Sequence, residues 1–256
     1  MAFRINGRFK KISCEAMQEN VENKLLNASA EIFSQIISFI LIEQNIKQKS
    51  IVVVTKNGVI KKTSIEKHLI SNASRIEGAR CIDLDEGNKV VCCFIAEEAD
   101  DIVVMTKSGK INRFNANEIR ETKLNGYGVR GISLEYDDSG GEDEVIDAFC
   151  IPVSRPPSDN IICISEFGYA AVFEQRDLST YERNYKGVIG QKLLSATGNT
   201  ALCRLMSASS SIKIETNESR SINLPTESIK ICRRPSKGTL IATLDKNEKI
   251  IRSINN

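Results

Sequence analysis

The stretch "IVVVTKNGVIKKT" (Ile51–Thr63) decides the fold, because it joins two apolar, strand-like runs through a turn at Asn57-Gly58. A similar stretch, "IVVMTKSGKINRF" (Ile102–Phe114), follows 51 residues later. β-Branched residues on both sides of an X-Gly pair are typical of a β-hairpin. A two-residue hairpin loop needs the positive φ that glycine adopts at least cost. The sequence therefore predicts a β-hairpin that is repeated along the chain.

The turn residue of this hairpin marks five copies of one repeat. Its positions are Gly7, Gly58, Gly109, Gly168 and Ser219, with spacings of 51, 51, 59 and 51 residues. The long interval holds two insertions that are loop-like by composition, Asp137–Glu144 and Ser154–Asn160. Serine does not share the conformational freedom of glycine, so we expect the fifth turn to be longer, strained or differently shaped.

A second glycine follows each of four hairpins by about twenty residues. These glycines are Gly78, Gly128, Gly187 and Gly238, and a polar turn and another apolar run come after each. Each repeat thus contains about four short strands, and modules of this size are typical of propeller-like folds. We predict an all-β, propeller-like β-pinwheel of about five four-stranded blades, with a divergent first blade. Residues 21–44 of that blade are predicted to include a short amphipathic helix. The chain is expected to form one domain, 1–256, with repeat units of roughly 1–48, 49–98, 99–157, 158–208 and 209–256.

Composition excludes several classes of protein. The chain is 41% hydrophobic and 27% charged, and its formal charge of +2 gives no bulk preference for nucleic acid. The eight cysteines include no Cys-x-x-Cys pair and five lie in apolar runs, which favours buried free thiols in a reducing cytoplasm. His68 is the only histidine, so a Cys/His zinc site or a Ser-His-Asp triad is not expected. Neither a signal peptide nor a membrane span is predicted.

Three longer stretches carry a family resemblance. "VTKNGVIKKTSIEKH", "MTKSGKINRFNANEIRETKLNGYGVRGISL" and "ISEFGYAAVFEQRDLSTYERNYKGVIGQKL" closely resemble the C-terminal repeats of the A subunit of bacterial type IIA topoisomerases, DNA gyrase and topoisomerase IV. The resemblance runs in register from about Gly7 to the end of the chain. It implies blades that exchange a strand with their neighbours, and a basic rim that binds, bends or wraps duplex DNA without reading its sequence.

The same resemblance implies a domain with no catalytic activity of its own. The cleaving tyrosine, the Mg²⁺ ligands and the ATP site of such an enzyme belong to segments absent from this chain, so no cofactor is expected here. The implied partners are double-stranded DNA, the B subunit, and the remainder of the A subunit, in the bacterial cytoplasm at the nucleoid. A Gln-Arg-Arg-Gly-Gly-Lys-Gly-like box, typical of gyrase, has no match in this sequence. Two origins stay open: topoisomerase IV, or a gyrase piece without its first blade, with "TKNGVIKKT" and "NGYGVRGI" closer to gyrase.

Basic residues recur at matching positions of the repeat, as a binder of successive phosphates requires. The candidate DNA-binding residues are Lys61, Lys62, Arg75, Arg80, Lys110, Arg113, Lys123, Arg130, Arg183, Lys186, Arg233, Arg234 and Lys237. For any single one a solvated surface charge is the favoured interpretation, whereas recurrence at matching positions favours DNA binding for the set. No catalytic or metal-binding residue is predicted. The acidic stretch Ser133–Glu144 is expected to be a solvated loop, since it lacks the ligand order of a calcium loop. For Tyr127, Tyr181 and Tyr185, packing between blades is preferred over stacking on DNA.

Two other functions compete with DNA binding. A propeller-type scaffold for protein partners would present exposed aromatic or apolar patches, and with no Trp and 5% aromatic residues the sequence offers few such anchors. A propeller enzyme would need carboxylates or histidines that converge at equal positions of the repeats, and the sequence shows none.

Overall fold

The computed structural model describes residues 1–11, 36–42, 49–71, 78–136, 141–207 and 210–254. Within them the chain is all-β, with nineteen short strands, one α-helix of five residues and three short 3-10 helices. The strands form five antiparallel sheets. This confirms the predicted all-β fold and the predicted number of blades. No helix in the described part of the chain is long and apolar enough to cross a bilayer.

Four sheets have four strands and the fifth has three. The first sheet contains β1 (Ala2–Arg4), β2 (Arg8–Lys10), β3 (Ile36–Phe39) and β6 (Ala79–Arg80). The second contains β4 (Ser50–Thr55), β5 (Val59–Ser64), β7 (Val90–Ala96) and β10 (Val129–Arg130). The third contains β8 (Asp101–Thr106), β9 (Lys110–Asn115), β11 (Val145–Ile151) and β14 (Val188–Ile189). The fourth contains β12 (Asn160–Ser165), β13 (Tyr169–Glu174), β15 (Thr200–Met206) and β18 (Thr239–Leu240). The fifth contains β16 (Ser211–Thr216), β17 (Ser221–Pro225) and β19 (Ile250–Ile254).

The helices are short and follow the hairpins. The α-helix, α1, spans Ile65–Leu69, and Ser64 at its N-cap accepts a hydrogen bond from the Lys67 backbone N–H. The 3-10 helices span Ala116–Glu118, Gln175–Asp177 and Thr226–Ser228.

A two-residue strand crosses from each later repeat to the sheet before it. β6 follows the second hairpin in sequence but pairs with β2, with Arg8 opposite Arg80 and Phe9 opposite Ala79. β10, β14 and β18 pair in the same way with β5, β9 and β13. The fourth strand of each of the first four sheets therefore comes from the next repeat, which is the strand exchange that the family resemblance implied.

The second glycine of each repeat lies against the sheet that receives the exchanged strand. A Cβ atom on Gly128 would lie 2.4 Å from the Ile60 carbonyl oxygen, and one on Gly238 would lie 2.1 Å from that of Ala170. Gly78 is equally close to Phe9. No larger residue fits these positions without moving the backbone, because real Cβ atoms do not approach closer than about 3.0 Å. Close packing of the exchanged strand explains the second marker.

The hairpin loop has three residues, so the predicted two-residue loop is wrong. Val54 pairs with Ile60, and the Gly58 N–H donates to the Thr55 carbonyl at 3.0 Å. Gly58 has a φ of 74°, as expected for a turn that is followed by a left-handed residue. The Thr55 hydroxyl oxygen also accepts from the Val59 N–H at 3.1 Å. Thr106, Ser165 and Thr216 repeat that last contact, a hydroxyl marker that was not predicted from the sequence.

The fifth turn keeps this geometry despite its serine. The Ser219 N–H donates to the Thr216 carbonyl at 3.0 Å, as in the glycine turns, and Ser219 has a φ of 62°. The turn is neither longer nor differently shaped. It is strained, because Ser219, an L-residue, adopts the left-handed conformation that glycine adopts in the other turns.

The first sheet has four strands, and one of them lies where a helix was predicted. Ile36–Phe39, inside the predicted helical stretch 21–44, forms strand β3 and pairs with β1. β3 is an ordinary sheet edge with an apolar sequence, and short apolar runs do not distinguish helix from strand by periodicity. The rest of that prediction, from 21 to 35 and at 43–44, lies outside the described residues.

The chain divides into two compact units, residues 1–98 with 119–130 and residues 99–118 with 131–256. In the first unit, a core that includes Phe3, Phe9, Ile51 and Val53 lies between the first and second sheets. In the second unit, one core joins the third and fourth sheets and another joins the fourth and fifth. Each core forms where the faces of consecutive sheets meet. The expectation of a single domain stays a prediction.

Candidate nucleic-acid interface

Lys61 lies in the interior of the first unit. Its side chain is 1% exposed, and its Nζ donates to the Cys81 carbonyl at 2.6 Å and to the Leu124 carbonyl. Burial lowers the pKa of Lys61 to about 8. In this position Lys61 ties the second repeat to the loop of the third. This buried position does not support DNA contact by Lys61, and its assignment as a DNA-binding residue stays a prediction.

Lys62 and Arg113, which follow their turn glycines by four residues, are also engaged within the protein. Lys62 is 3% exposed and lies 4.0 Å from the Glu98 carboxylate, and burial lowers its pKa. The Arg113 guanidinium contacts the Asp101 carboxylate at 2.7 and 2.8 Å and donates to the Gln175 carbonyl at 3.0 Å. Its charge is compensated in place. Lys62 and Arg113 thus make contacts within the protein as Lys61 does, and their contact with DNA stays a prediction.

Asn112 shows why the position of Lys61 is structural. Both residues follow their turn glycine by three places. The fully buried Asn112 amide donates to the carbonyls of Gly131 and Glu182 at 3.3 and 3.2 Å, contacts that parallel those of Lys61. The sequence carried a signal for this role, because a neutral amide in one repeat replaces a cation in the other. The Asn112 amide carries no positive charge, yet it makes an equivalent pair of carbonyl contacts.

Three candidates of the first unit are exposed, namely Arg80, Lys123 and Arg130. Arg80 and Arg130 occupy the same place, the second residue of an exchanged strand. Arg80 pairs with Asp83 at 2.5 Å but keeps 52% of its side chain exposed. Lys123 stands in the loop before β10, and Arg120 near it is exposed as well. Arg75 lies outside the described residues.

Three candidates of the second unit are exposed in the corresponding loops, namely Lys186, Arg233 and Lys237. Lys186 and Lys237 directly precede the glycine that packs against the receiving sheet. Lys237 Nζ lies 5.7 Å from the centre of the Tyr169 ring, which orients the ammonium group without neutralising it. The loops before β10, β14 and β18 thus carry exposed cations.

The remaining three candidates of the second unit are partly buried. Lys110 pairs with Glu135 and lowers the pKa of that carboxyl through this hydrogen bond. Arg234 lies over the Phe173 ring at 5.1 Å and donates to the carbonyls of Asp177 and Ile189. Burial lowers the pKa of Arg234. The backbone N–H of Arg183 donates to Glu118 at 2.7 Å, which fixes its loop. These three cations are partly exposed and also lie in segments that make contacts within the protein.

The two tyrosines of the fourth repeat stack on each other. The ring centres of Tyr181 and Tyr185 are 4.7 Å apart and the planes differ by 10°. The Tyr181 N–H also donates to the Arg113 carbonyl at 2.7 Å, which fixes the start of the loop. Packing between blades was the preferred interpretation for these residues, whereas this ring contact lies within one loop. Tyr127 is different, since 70% of it is exposed.

The acidic insertion of the third repeat is held at its end to the neighbouring hairpin. The Ser108 N–H donates to Asp143 at 3.0 Å, and Lys107 pairs with Glu144 at 3.2 Å. Residues 137–140 lie outside the described part. These contacts place the described end of the insertion against a hairpin turn, where Asp143 and Glu144 are partly exposed.

Comparison with known proteins places this arrangement in a family. The family described as "DNA gyrase C-terminal domain, beta-propeller" matches residues 49–95, 100–152, 159–195 and 216–254. The chain belongs to this DNA gyrase C-terminal domain family. The matched segments contain three of the five hairpins in full, strand β17 of the fifth hairpin, and all four exchanged strands. The resemblance inferred from the sequence is confirmed.

Relatives and solved structures agree with the family. The A subunit of DNA gyrase from Deinococcus deserti is 24% identical over 198 residues, which are 77% of this chain and 23% of that protein. The chain therefore spans about a quarter of the length of this relative. The structure of a DNA gyrase A C-terminal domain superposes with a TM-score of 0.80 at 16% identity, over 98% of this chain and 80% of that one. The crystal structure of a topoisomerase IV C-terminal domain gives 0.76 at 19% identity, over 86% and 65%. These likenesses confirm the propeller-like fold.

Proposed function

We propose that this chain is a non-catalytic domain that binds, bends and wraps duplex DNA as part of the A subunit of a type IIA topoisomerase. One observation carries the proposal. In a member of the DNA gyrase C-terminal domain family, the loop before the exchanged strand, or that strand itself, presents exposed cations in four successive repeats. The exposed set is Arg80, Lys123, Arg130, Lys186, Arg233 and Lys237.

These side chains suit phosphate contact rather than base reading. Arginine and lysine on exposed loops neutralise backbone charges, and such contacts position a protein on DNA without sequence information. With about six phosphates neutralised, the logarithm of the binding constant should fall with the logarithm of salt concentration with a slope of about −5. Bending a short site costs roughly 1–6 kcal/mol, so several repeats have to bind at once.

The rest of the enzyme supplies the chemistry in this proposal. The strand-cleaving tyrosine, Mg²⁺ and ATP would belong to the B subunit or to the remainder of the A subunit. Within that assembly the domain would act either as in gyrase, where wrapping directs strand passage, or as in topoisomerase IV, where it selects the DNA segment. The family match and the gyrase relatives favour the gyrase mode.

A salt titration with matched variants tests the proposal. Lys186→Ala and Lys237→Ala should each weaken binding to linear duplex at every sequence tested and reduce the salt slope by about 1. Lys246→Ala is the control, because Lys246 is exposed but lies outside the loops that precede exchanged strands. Absence of binding at low salt would overturn the proposal and favour the protein scaffold, for which Ile189 and Leu240, each 49% exposed, would be the first contacts to test.

A further inference from the structure

Tyr127 occupies a place that lysine occupies in later repeats. The residue directly before the second glycine is Tyr127 in the third repeat, Lys186 in the fourth and Lys237 in the fifth, and all three are exposed. Each of them precedes an exchanged strand that pairs with the preceding hairpin in the same register. The three side chains therefore leave their sheets at equivalent points.

The loop that carries Tyr127 is fixed at both ends. On one side the Thr122 N–H donates to the Lys62 carbonyl at 3.0 Å, and Lys61 donates to the Leu124 carbonyl. On the other side Val129 pairs with Ile60. Between them the Gly126 N–H closes a turn on the Lys123 carbonyl at 3.2 Å. A ring on such a support loses little conformational entropy when it makes a contact, and 70% of Tyr127 is exposed.

Tyr127 has exposed basic residues on both sides in the sequence. Lys123 lies four residues before it and Arg130 three residues after it, and both are exposed. The other strongly exposed tyrosine, Tyr136 at 75%, stands next to Glu135 and pairs through a β-bridge with Glu142. An exposed ring between cations suits a polyanion, whereas a ring between carboxylates does not.

We infer that Tyr127 contacts the backbone of the bound duplex at the point where Lys186 and Lys237 contact phosphates. Its ring would pack on a deoxyribose and its hydroxyl would donate to the adjacent phosphate. This inference rests on the proposed function and adds to it a contact that does not depend on a full charge. The third repeat would thus bind DNA by a less salt-dependent contact than its neighbours.

Two substitutions at one position test the inference. Tyr127→Ala should weaken binding to linear duplex by roughly three- to tenfold and leave the salt slope unchanged, since no charge is removed. Tyr127→Lys should recover most of the affinity and steepen the slope by about 1, because it places an ammonium group on the phosphate path. Tyr136→Ala is the matched control and should stay within about twofold of the parent.

The possible failures are distinguishable. If Tyr127→Ala binds like the parent while Lys186→Ala binds more weakly, the tyrosine contact is wrong and the DNA-binding function stands. If Tyr127→Lys is as weak as Tyr127→Ala with an unchanged slope, the position is not on the phosphate path. If the parent chain itself does not bind duplex at low salt, the proposed function fails. Thermal melts of each variant confirm that the chain is folded.

Discussion

At the scale of single residues, position in the repeat did not reveal which cations face solvent. Lys61 and Lys62 are neighbours in β5 and should point to opposite faces of the sheet, yet both are buried. Both faces of β5 are covered, so alternation along the strand gives no exposed side. Lys123, Arg130, Lys186 and Lys237 lie in loops or on exchanged strands, and all four are exposed as a DNA contact requires. Most of the candidate cations in loops are exposed, although Arg183 and Arg234 are partly buried, whereas the burial of Lys61 and Lys62 could be seen only in the structure.

Replacing Lys61 separates structure from DNA binding. Lys61→Met removes the donor to two buried carbonyls and should lower the free energy of unfolding by about 1–3 kcal/mol. The salt slope of DNA binding should stay that of the parent, because Lys61 makes no phosphate contact. Urea unfolding and the salt titration measure the two effects. Lys123→Ala should show the opposite result, an unchanged free energy of unfolding and a salt slope that is shallower by about 1. A slope that drops by about 1 in Lys61→Met would show that the lysine reaches DNA after all.

His68 makes stability depend on pH. The ring is fully buried beside Phe9, with centres 4.8 Å apart, and its Nδ1–H donates to the Ser64 carbonyl at 3.1 Å. Burial lowers the pKa of His68 from 6.5 to about 4. As the pH falls from 6.5 towards 4, His68 becomes protonated in the unfolded chain but stays neutral in the folded chain. The free energy of unfolding therefore decreases, by about 3 kcal/mol at most.

Urea unfolding of the parent and of His68→Phe between pH 7 and pH 4 measures this contribution. The free energy of unfolding of the parent minus that of His68→Phe should decrease or change sign as the pH falls. Only the parent has a histidine whose protonation favours the unfolded chain. No other histidine contributes, since His68 is the only one in the sequence. A difference that stays constant over this range would show that His68 titrates equally in the folded and unfolded states.

Ser219 stores strain that glycine would release. It has a φ of 62° in a turn where the other repeats have glycine. Ser219→Gly should raise the free energy of unfolding by about 0.5–1 kcal/mol. The reverse change in the second hairpin, Gly58→Ser, should lower it by a similar amount, since Gly58 has a φ of 74°. Thermal or urea unfolding compares them, and a stabilising Gly58→Ser would contradict the turn geometry.

At the scale of elements, the hairpins could be predicted from the sequence. The sheet with which each exchanged strand pairs could not. Hairpin strands are local, with apolar β-branched runs around a turn. The exchanged strand has two residues, and its partner is about 70 residues away for β6 and β10, which pair with β2 and β5. Only the family resemblance implied that exchange. The glycine before each exchanged strand was visible as a marker, and the structure explains it by close approach.

Two glycines of one loop test that explanation. A Cβ on Gly128 would meet the Ile60 carbonyl oxygen at 2.4 Å, whereas one on Gly126 has nothing closer than 3.4 Å. Gly128→Ala should therefore lower the free energy of unfolding by about 1–3 kcal/mol. Gly126→Ala should change it by less than about 1 kcal/mol. Equal effects of the two substitutions in urea unfolding would rule out close packing as the reason for the second glycine.

At the scale of the whole molecule, the formal charge of +2 does not show where the exposed cations lie. Some lie before and on the exchanged strands and others, such as Lys89 and Lys192, lie elsewhere, while many cations pair with carboxylates or donate to carbonyls. The repeat and its family could be predicted from the sequence. Which cations are engaged inside the protein depended on packing between sheets, which spacing does not encode.

Wrapping makes a topological prediction. If the chain bends duplex DNA in one sense, nicked circles ligated in its presence should differ in linking number from circles ligated without it. The triple variant Lys186→Ala, Arg233→Ala, Lys237→Ala should remove the shift, because too few phosphate contacts remain to offset the bending cost. Lys246→Ala should keep it. A parent chain that binds tightly but leaves the linking number unchanged would contradict wrapping and favour segment selection as in topoisomerase IV.

The most direct test of the central claim is the affinity of the whole chain for linear duplex DNA at several salt concentrations. We predict sequence-independent binding at low salt, with a salt slope of about −5 that becomes shallower by about 1 for each exposed loop cation removed. A chain that shows no binding at low salt, or binding without salt dependence, would contradict the assignment of these loops as a DNA interface.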